Sequence, residues 1–256
     1  MSVSIDVVQD PAQECARLMV DACRASAAPQ IVLAGGSTPK AANELFAAAV
    51  RSEGLDLSNV TFWLGDDRAV PPDDDRSNFK MIRETLLDPL ADVTVPVVHR
   101  IEGELGYAEA ADRYERLLRD AGAVRFDLLL LGIGSDGHTL SLFPGKPGIH
   151  ERSRLVVGVP EAGLEPFVPR VSFTLSAVAL ASHVLFLAAG ASKADALGRA
   201  FGLGASPDPA VPSSMIPTVA AQVTLLVDAA AAAQLDSAKP PSGATGPQGG
   251  SGTTPA

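Results

Sequence analysis

His138 follows the apolar run Leu128–Leu131 in the segment Gly132-Ile133-Gly134-Ser135-Asp136-Gly137-His138-Thr139. An imidazole titrates near neutrality, so at this position it can take a proton from water and later return it to a leaving oxygen. Asp136, two residues earlier, can orient the ring or select its tautomer. The glycines let backbone N–H groups approach an anion while nearby side chains reach a substrate, as happens at the carboxyl ends of strands in open α/β sheets. His99, His150 and His183 have no such setting and read as structural.

A second candidate loop, Gly35-Gly36-Ser37-Thr38-Pro39-Lys40, follows the strand-like IVLA and opens a helix. Two glycines, two hydroxyls and a helix N-terminus suit a phosphate, and Pro39 suits the first helical turn. The same residues also read as a plain glycine turn with an N-cap. The spacing matches neither a Walker A loop nor the G-x-G-x-x-G dinucleotide fingerprint. A third loop, Gly65-Asp66-Asp67-Arg68, follows TFWL and leads into an acidic stretch with Asp73, Asp74 and Asp75. Arg68 offers a planar fork to a phosphate or an oxyanion. A metal site on Asp66 and Asp67 is disfavoured, because adjacent residues of an extended segment point oppositely and no histidine stands nearby. Arg170, before a strand, and Lys193, at a helix start, would join Lys40 and Arg68 as cations at strand ends.

The elements that must position these groups alternate strand and helix, the pattern of βα units with parallel strands. SIDVV opens the series, and Asp10 then reads as the N-cap of a helix that starts at Pro11 and runs to about Ala28. Further strands are expected at Ile31–Ala34, Val60–Leu64, Val95–Val98, Phe126–Leu131, Leu155–Val159, Val171–Phe173, Val184–Ala188 and Val223–Val227. Helices are expected at Pro39–Arg51, Asn78–Leu87, Tyr107–Asp120, Ser192–Phe201 and Ala229–Leu235. The fold class is therefore α/β, an open and mostly parallel sheet with helices on both faces. Residues 1–235 read as one catalytic domain, and 236–256, rich in Pro, Gly, Ser and Thr, as a disordered tail that lacks the apolar surface to order itself.

Bulk properties bound the partners. With 256 residues and 46% apolar side chains the chain can bury a substantial core. Its net charge of −10 opposes nucleic acid or an anionic membrane as the main partner. Cys15 and Cys23 fall on one expected helix, separated by roughly 12 Å of rise, too far to bridge, which fits a reducing compartment. The N-terminus lacks the basic and apolar regions of a secretion signal, and no run is long enough to span a bilayer, so a cytoplasmic protein is expected. Nothing in the sequence signals an oligomeric state.

Together, AGGSTPK (34–40), WLGDDRAVPPDDDRSN (63–78) and LLGIGSDGHTLSLFPG (130–145), with PRVSFT (169–174) and GASK (190–193), give the chain a resemblance. It resembles the 6-phosphogluconolactonases, within the wider glucosamine-6-phosphate isomerase/6-phosphogluconolactonase superfamily, over about residues 1 to 235. Two departures stand out: Asp67 where the motif usually has Glu, and Leu140 where a smaller residue is common. The resemblance implies hydrolysis of 6-phosphoglucono-δ-lactone without a metal or organic cofactor. It further implies His138 as general base and then acid, with Asp136 and Arg68 assisting. Substrate contacts are implied at Gly35, Gly36, Ser37, Thr38, Lys40, Asp66, Asn78, Gly137, Arg170 and Lys193. The sister deaminases resemble DGHIAFNEPG after the histidine, whereas this chain has TLSLFPG and lacks the Asn-Glu pair. A non-catalytic sugar-phosphate sensor would need a DNA-binding segment, and none is left over.

Overall fold

LLLL at 128–131 and VLFLA at 184–188 contain no polar side chain, so strands built from them have no face suited to water. Both are buried along their full length, which for a period-2 element means cover on both faces. A computed structural model of the chain describes residues 2–122 and 125–235. Its elements begin with β1 (Ser2–Val7), α1 (Pro11–Ala25), β2 (Gln30–Leu33), α2 (Ser37–Glu53), β3 (Thr61–Leu64) and β4 (Asp66–Arg68). Next come α3 (Asn78–Ile82), a π-helical turn (Arg83–Leu87), α4 (Asp88–Leu90), β5 (Val97–His99), α5 (Tyr107–Asp120) and β6 (Leu128–Leu131). The chain continues with β7 (Val156–Val159), β8 (Arg170–Phe173), α6 (Leu175–Val178), β9 (Val184–Ala188), α7 (Ala194–Phe201) and β10 (Gln222–Val227).

Seven strands form one sheet in the order β1-β10-β9-β6-β2-β3-β5. Every pairing in it is parallel, as the α/β pattern requires. The chain winds outward through β2, β3 and β5 on one side and through β6, β9 and β10 on the other. The reversal therefore falls between the neighbours β2 and β6, and a crevice opens beyond their carboxyl ends. Asp10 caps α1 as expected, its carboxylate accepting from the backbone of Ala12 and Gln13 at 3.0 Å. Cys15 and Cys23 are buried and free, and burial pushes each thiol up to about 12, so both are chemically quiet.

Several expected elements differ. Leu155–Val159 and Val171–Phe173 do not join the parallel sheet; as β7 and β8 they lie antiparallel and, with β4, form a second three-stranded sheet in the order β4-β8-β7. Residues 160–169 between them are too few for the crossover of a dozen or more that parallel strands need. Asp66–Arg68, read as loop, is β4, the edge of that sheet. The first helix stops at Ala25, capped by Ser26. The second starts earlier than Pro39, at Ser37. Val95–Val98 shifts to Val97–His99, and Phe126 makes an isolated bridge to Ala181 ahead of β6. Asn78–Leu87 changes from α to π geometry at Arg83, and Ser192 lies in a 3-10 turn before α7. Ala229–Leu235 is only a 3-10 turn over Ala231–Gln234. The expected tail, 236–256, lies outside the described residues.

Candidate active site

The crevice between β2 and β6 holds a cavity of about 280 Å³, lined by the loops after both strands and by residues of β4, α3 and β8. After β2 the chain turns through Gly35 and Gly36 and enters α2 at Ser37, so that Ser37 and Thr38 face the cavity at a helix N-terminus. A side chain at Gly35 has no room unless Asn78 moves: its Cβ would lie 2.0 Å from Asn78 Oδ1. That close approach brings the Asn78 amide against the glycine turn.

After β6 the chain makes a tight turn in which the Gly134 N–H donates to the His138 carbonyl at 2.9 Å. His138 Nδ1 and Asp136 Oδ1 are 2.6 Å apart, and the His138 backbone N–H donates to the same oxygen at 3.0 Å. A carboxylate can only accept, so this contact places the ring proton on Nδ1 and leaves Nε2 with a free lone pair. Phe143 supports the ring at a centroid distance of 4.6 Å. Burial raises the pKa of Asp136, but the hydrogen bonds from the ring and backbone of His138 outweigh it and hold the carboxyl below its ordinary value. The pair is thus a charged acceptor, an oriented imidazole and a basic nitrogen.

Three cations line the same cavity. Arg170 is only 5% exposed; its Nε donates to the Val168 carbonyl at 3.2 Å and one Nη to the Pro166 carbonyl at 2.8 Å. Burial, reinforced by the neighbouring Arg68, lowers its pKa to about 10, which still leaves it protonated at neutral pH. Arg68 donates to the Arg76 carbonyl, while its Nε is buried with no hydrogen-bond partner among the described residues. Lys193 donates to the Ile133 carbonyl at 2.7 Å, and burial pulls its pKa down against the opposing charge of Asp136. Among the described residues none of the three has a carboxylate at ion-pair distance, although exposed arginines such as Arg17, Arg51 and Arg76 all do. Desolvated, unpaired cations converging on one cavity favour an anionic guest.

Of the residues expected from sequence, Gly35, Gly36, Ser37, Thr38, Asp66, Arg68, Asn78, His138, Arg170 and Lys193 line this cavity. Lys40 is not among the lining residues: one turn into α2, its ammonium lies 3.9 Å from the Glu44 carboxylate. Gly137 and Asp136 sit behind His138, Gly137 with its carbonyl turned to Ser213. Asp66 does not pair with Asp67 in a metal-like site; its Oδ2 accepts from Ser141 Oγ at 2.6 Å, and Asp67 turns the other way into the protein.

Sequence inspection missed three supports. Ser213 is fully buried, and both its N–H and its Oγ donate to the Gly137 carbonyl, at 3.0 and 2.9 Å. Arg199 donates to the Ser135 carbonyl at 2.7 Å and is held by Asp195 at 2.9 Å. Leu164 adds apolar surface to the cavity wall. None belongs to a motif, and Ser213 and Arg199 lie far along the chain from the loop they brace.

Residues 4–225 match the family described as glucosamine-6-phosphate isomerases/6-phosphogluconolactonase. A 6-phosphogluconolactonase of Mycobacterium leprae (strain TN) is 34% identical over 253 residues, covering 92% of this chain and 99% of that protein. The solved 6-phosphogluconolactonase of Trypanosoma brucei aligns with a TM-score of 0.74 at 30% identity, over 91% of this chain and 99% of that one. A monomeric glucosamine-6-phosphate deaminase aligns with a TM-score of 0.77 over 91% of this chain and all of its own, at 21% identity. That last likeness is one of fold, so the fold alone does not choose between the two activities.

Proposed function

The chain belongs to the glucosamine-6-phosphate isomerase/6-phosphogluconolactonase family, and on that premise we propose that His138 is the general base with which it hydrolyses 6-phospho-D-glucono-1,5-lactone to 6-phospho-D-gluconate. The protein is a lactone hydrolase of the pentose phosphate pathway. What carries the assignment of roles is His138, backed by Asp136, on the wall of a cavity whose cations have no counter-ion among the described residues.

Asp136 keeps the ring proton on Nδ1, so Nε2 faces the substrate as a base. Water attacks the lactone carbonyl carbon and gives its proton to Nε2, and the carbonyl oxygen becomes an oxyanion. Arg68 and backbone N–H groups of the glycine loop stabilise that oxyanion. As the tetrahedral species collapses, the bond from the carbonyl carbon to the ring oxygen breaks. The imidazolium then returns its proton to the departing ring oxygen, and neutral His138 is restored. Ser37 and Thr38 at the start of α2, with Arg170 and Lys193, take the phosphate; Asp66 and Asn78 offer polar groups to the sugar.

The residues after His138 support lactone hydrolysis over deamination. Thr139 Oγ1 donates to the Gly132 carbonyl at 2.8 Å and Ser141 Oγ to Asp66, so this stretch stabilises the loop and brings no second carboxylate to the ring. A net charge of −10 disfavours a nucleic-acid or anionic-membrane partner, and among the described residues no helix is long and apolar enough to cross a membrane. Buried free thiols agree with a cytoplasmic location. Residues 1–235 act as one catalytic unit.

The test generates the lactone in situ and follows 6-phosphogluconate formation with wild-type protein, with His138→Ala and with buffer alone. Wild type must exceed the spontaneous rate, and His138→Ala must lose most of that excess. Release of ammonia from glucosamine 6-phosphate would instead favour the deaminase.

A further inference from the structure

Asp67 is a carboxylate with 2% of its surface exposed, one residue from the cavity-lining Arg68 and facing away from the cavity. It has no cationic partner at ion-pair distance among the described residues. Four donors surround it instead. Oδ1 accepts from the backbone N–H of Arg68 at 2.7 Å and of Asn78 at 2.6 Å. Oδ2 accepts from the Phe79 N–H at 3.1 Å and from Ser77 Oγ at 3.2 Å.

The donors to Oδ1 come from different elements. Arg68 lies on β4, where it pairs in register with Arg170 of β8; Asn78 is the first residue of α3. One oxygen therefore joins the strand that carries a cation to the helix that carries the Asn78 amide. That amide in turn donates to the Asp66 carbonyl at 3.0 Å and packs where any side chain on Gly35 would have to go. A shift of Asn78 relative to Arg68 thus changes the spacing between guanidinium, amide and glycine turn.

We propose that Asp67 is a positioning residue for substrate binding, holding Arg68 and Asn78 at the separation that the phosphorylated sugar requires. This rests on the lactonase assignment above. Asp67 is not among the residues that line the cavity and has no hydrogen bond to the His138–Asp136 pair among the described residues, so its loss should act through Arg68 and Asn78, weakening binding and lowering kcat only as far as Arg68 serves the oxyanion. A purely structural role would lower stability without that selectivity.

The experiment compares wild type with Asp67→Ala, Asp67→Asn and Thr94→Val. Thr94 accepts from the Leu57 N–H at 2.8 Å and is a buried hydrogen-bonding group outside the cavity. Each protein is assayed for KM and kcat on lactone generated in situ, for 6-phosphogluconate affinity by calorimetry, and for Tm. For Asp67→Ala, KM and the 6-phosphogluconate Kd should rise together by about tenfold or more, with a loss in kcat, through Arg68, that is smaller than that of His138→Ala. In Asp67→Asn the amide oxygen can still accept from Arg68 and Asn78, so it should recover part of the lost affinity. Thr94→Val should lower Tm and leave both constants unchanged. The proposal is overturned if folded Asp67→Ala binds 6-phosphogluconate like wild type, if Thr94→Val weakens binding as much, or if kcat falls while KM holds. Should Asp67→Ala fail to fold, Asp67→Asn decides by the same criteria. Calorimetry does not depend on turnover, so a wild type that binds 6-phosphogluconate without hydrolysing lactone would refute the activity and still test Asp67.

Discussion

Asp136 Oδ1 receives both the ring Nδ1 of His138, at 2.6 Å, and the His138 backbone N–H, at 3.0 Å. One oxygen thus fixes the ring relative to its own backbone and sets which nitrogen is basic. Removing the base should cost about 10²–10⁴-fold in kcat, and removing its orienting group should cost no more than that. His138→Ala is expected in that range with Tm little changed. Asp136→Asn should fall between it and wild type, because the amide can present either an acceptor or a donor to Nδ1. Wild-type kcat in Asp136→Asn would show that the contact does not orient the base.

Arg170 uses Nε and one Nη on the Val168 and Pro166 carbonyls, and the other Nη makes no hydrogen bond among the described residues. Lysine keeps the charge but cannot hold two carbonyls and reach an anion with a third nitrogen. Arg170→Lys should therefore raise KM by about tenfold, the worth of a lost charge-assisted hydrogen bond, with a smaller effect on kcat. Inhibition by inorganic phosphate should weaken in parallel. An unchanged KM would remove Arg170 from the phosphate site.

How much of this was legible beforehand follows from how local each signal is. The parallel sheet showed itself because buried strands such as Leu128–Leu131 and Val184–Ala188 admit no polar residue, and the capping of α1 showed itself in adjacent Asp10 and Pro11. His138, Asp136 and the Gly35–Thr38 turn were visible for the same reason: each chemistry lies within a few residues. The antiparallel sheet was hidden, since Leu155–Val159 looks like any apolar strand and only the short connection to β8 decides its direction. Lys40 adjoins the motif in sequence, while helical geometry sets it one turn into α2 beside Glu44. Ser213 and Arg199 had no local mark, being matched to the histidine loop only by folding.

Burial dominates the ionisation of Asp67 and raises it from 3.8 to about 6, opposed by the hydrogen bonds from Asn78, Arg68 and Phe79. Because the native state then holds this proton more tightly than the unfolded chain, the contribution to stability is full below about pH 4 and is lost as pH rises to about 6. The charged and titratable groups acting on it are Asp66, Arg170, Arg100 and Tyr114, while Arg68 reaches it through its backbone N–H. Asp67→Asn removes the titration while those groups remain. The Tm difference, variant minus wild type, should therefore move in the variant's favour between about pH 4 and 6 and level off above. A difference that is flat across that window would contradict the buried titration.

Gly134 offers the sharpest separation of geometry from folding. A Cβ there would fall 2.1 Å from His138 Nδ1 and 2.7 Å from Asp136 Oδ1, and Phe143 backs the ring. The ring must then leave Asp136, because the methyl occupies the space of their hydrogen bond. Alanine demands no forbidden backbone here, since Gly134 is not among the glycines with positive φ. Gly134→Ala should consequently keep Tm near wild type while kcat drops toward that of His138→Ala. If both substitutions act through the same imidazole, the double variant should be no slower than His138→Ala alone, the non-additivity expected of groups that work as a unit. Losses that multiply would mean that Gly134 serves catalysis by a route other than the imidazole.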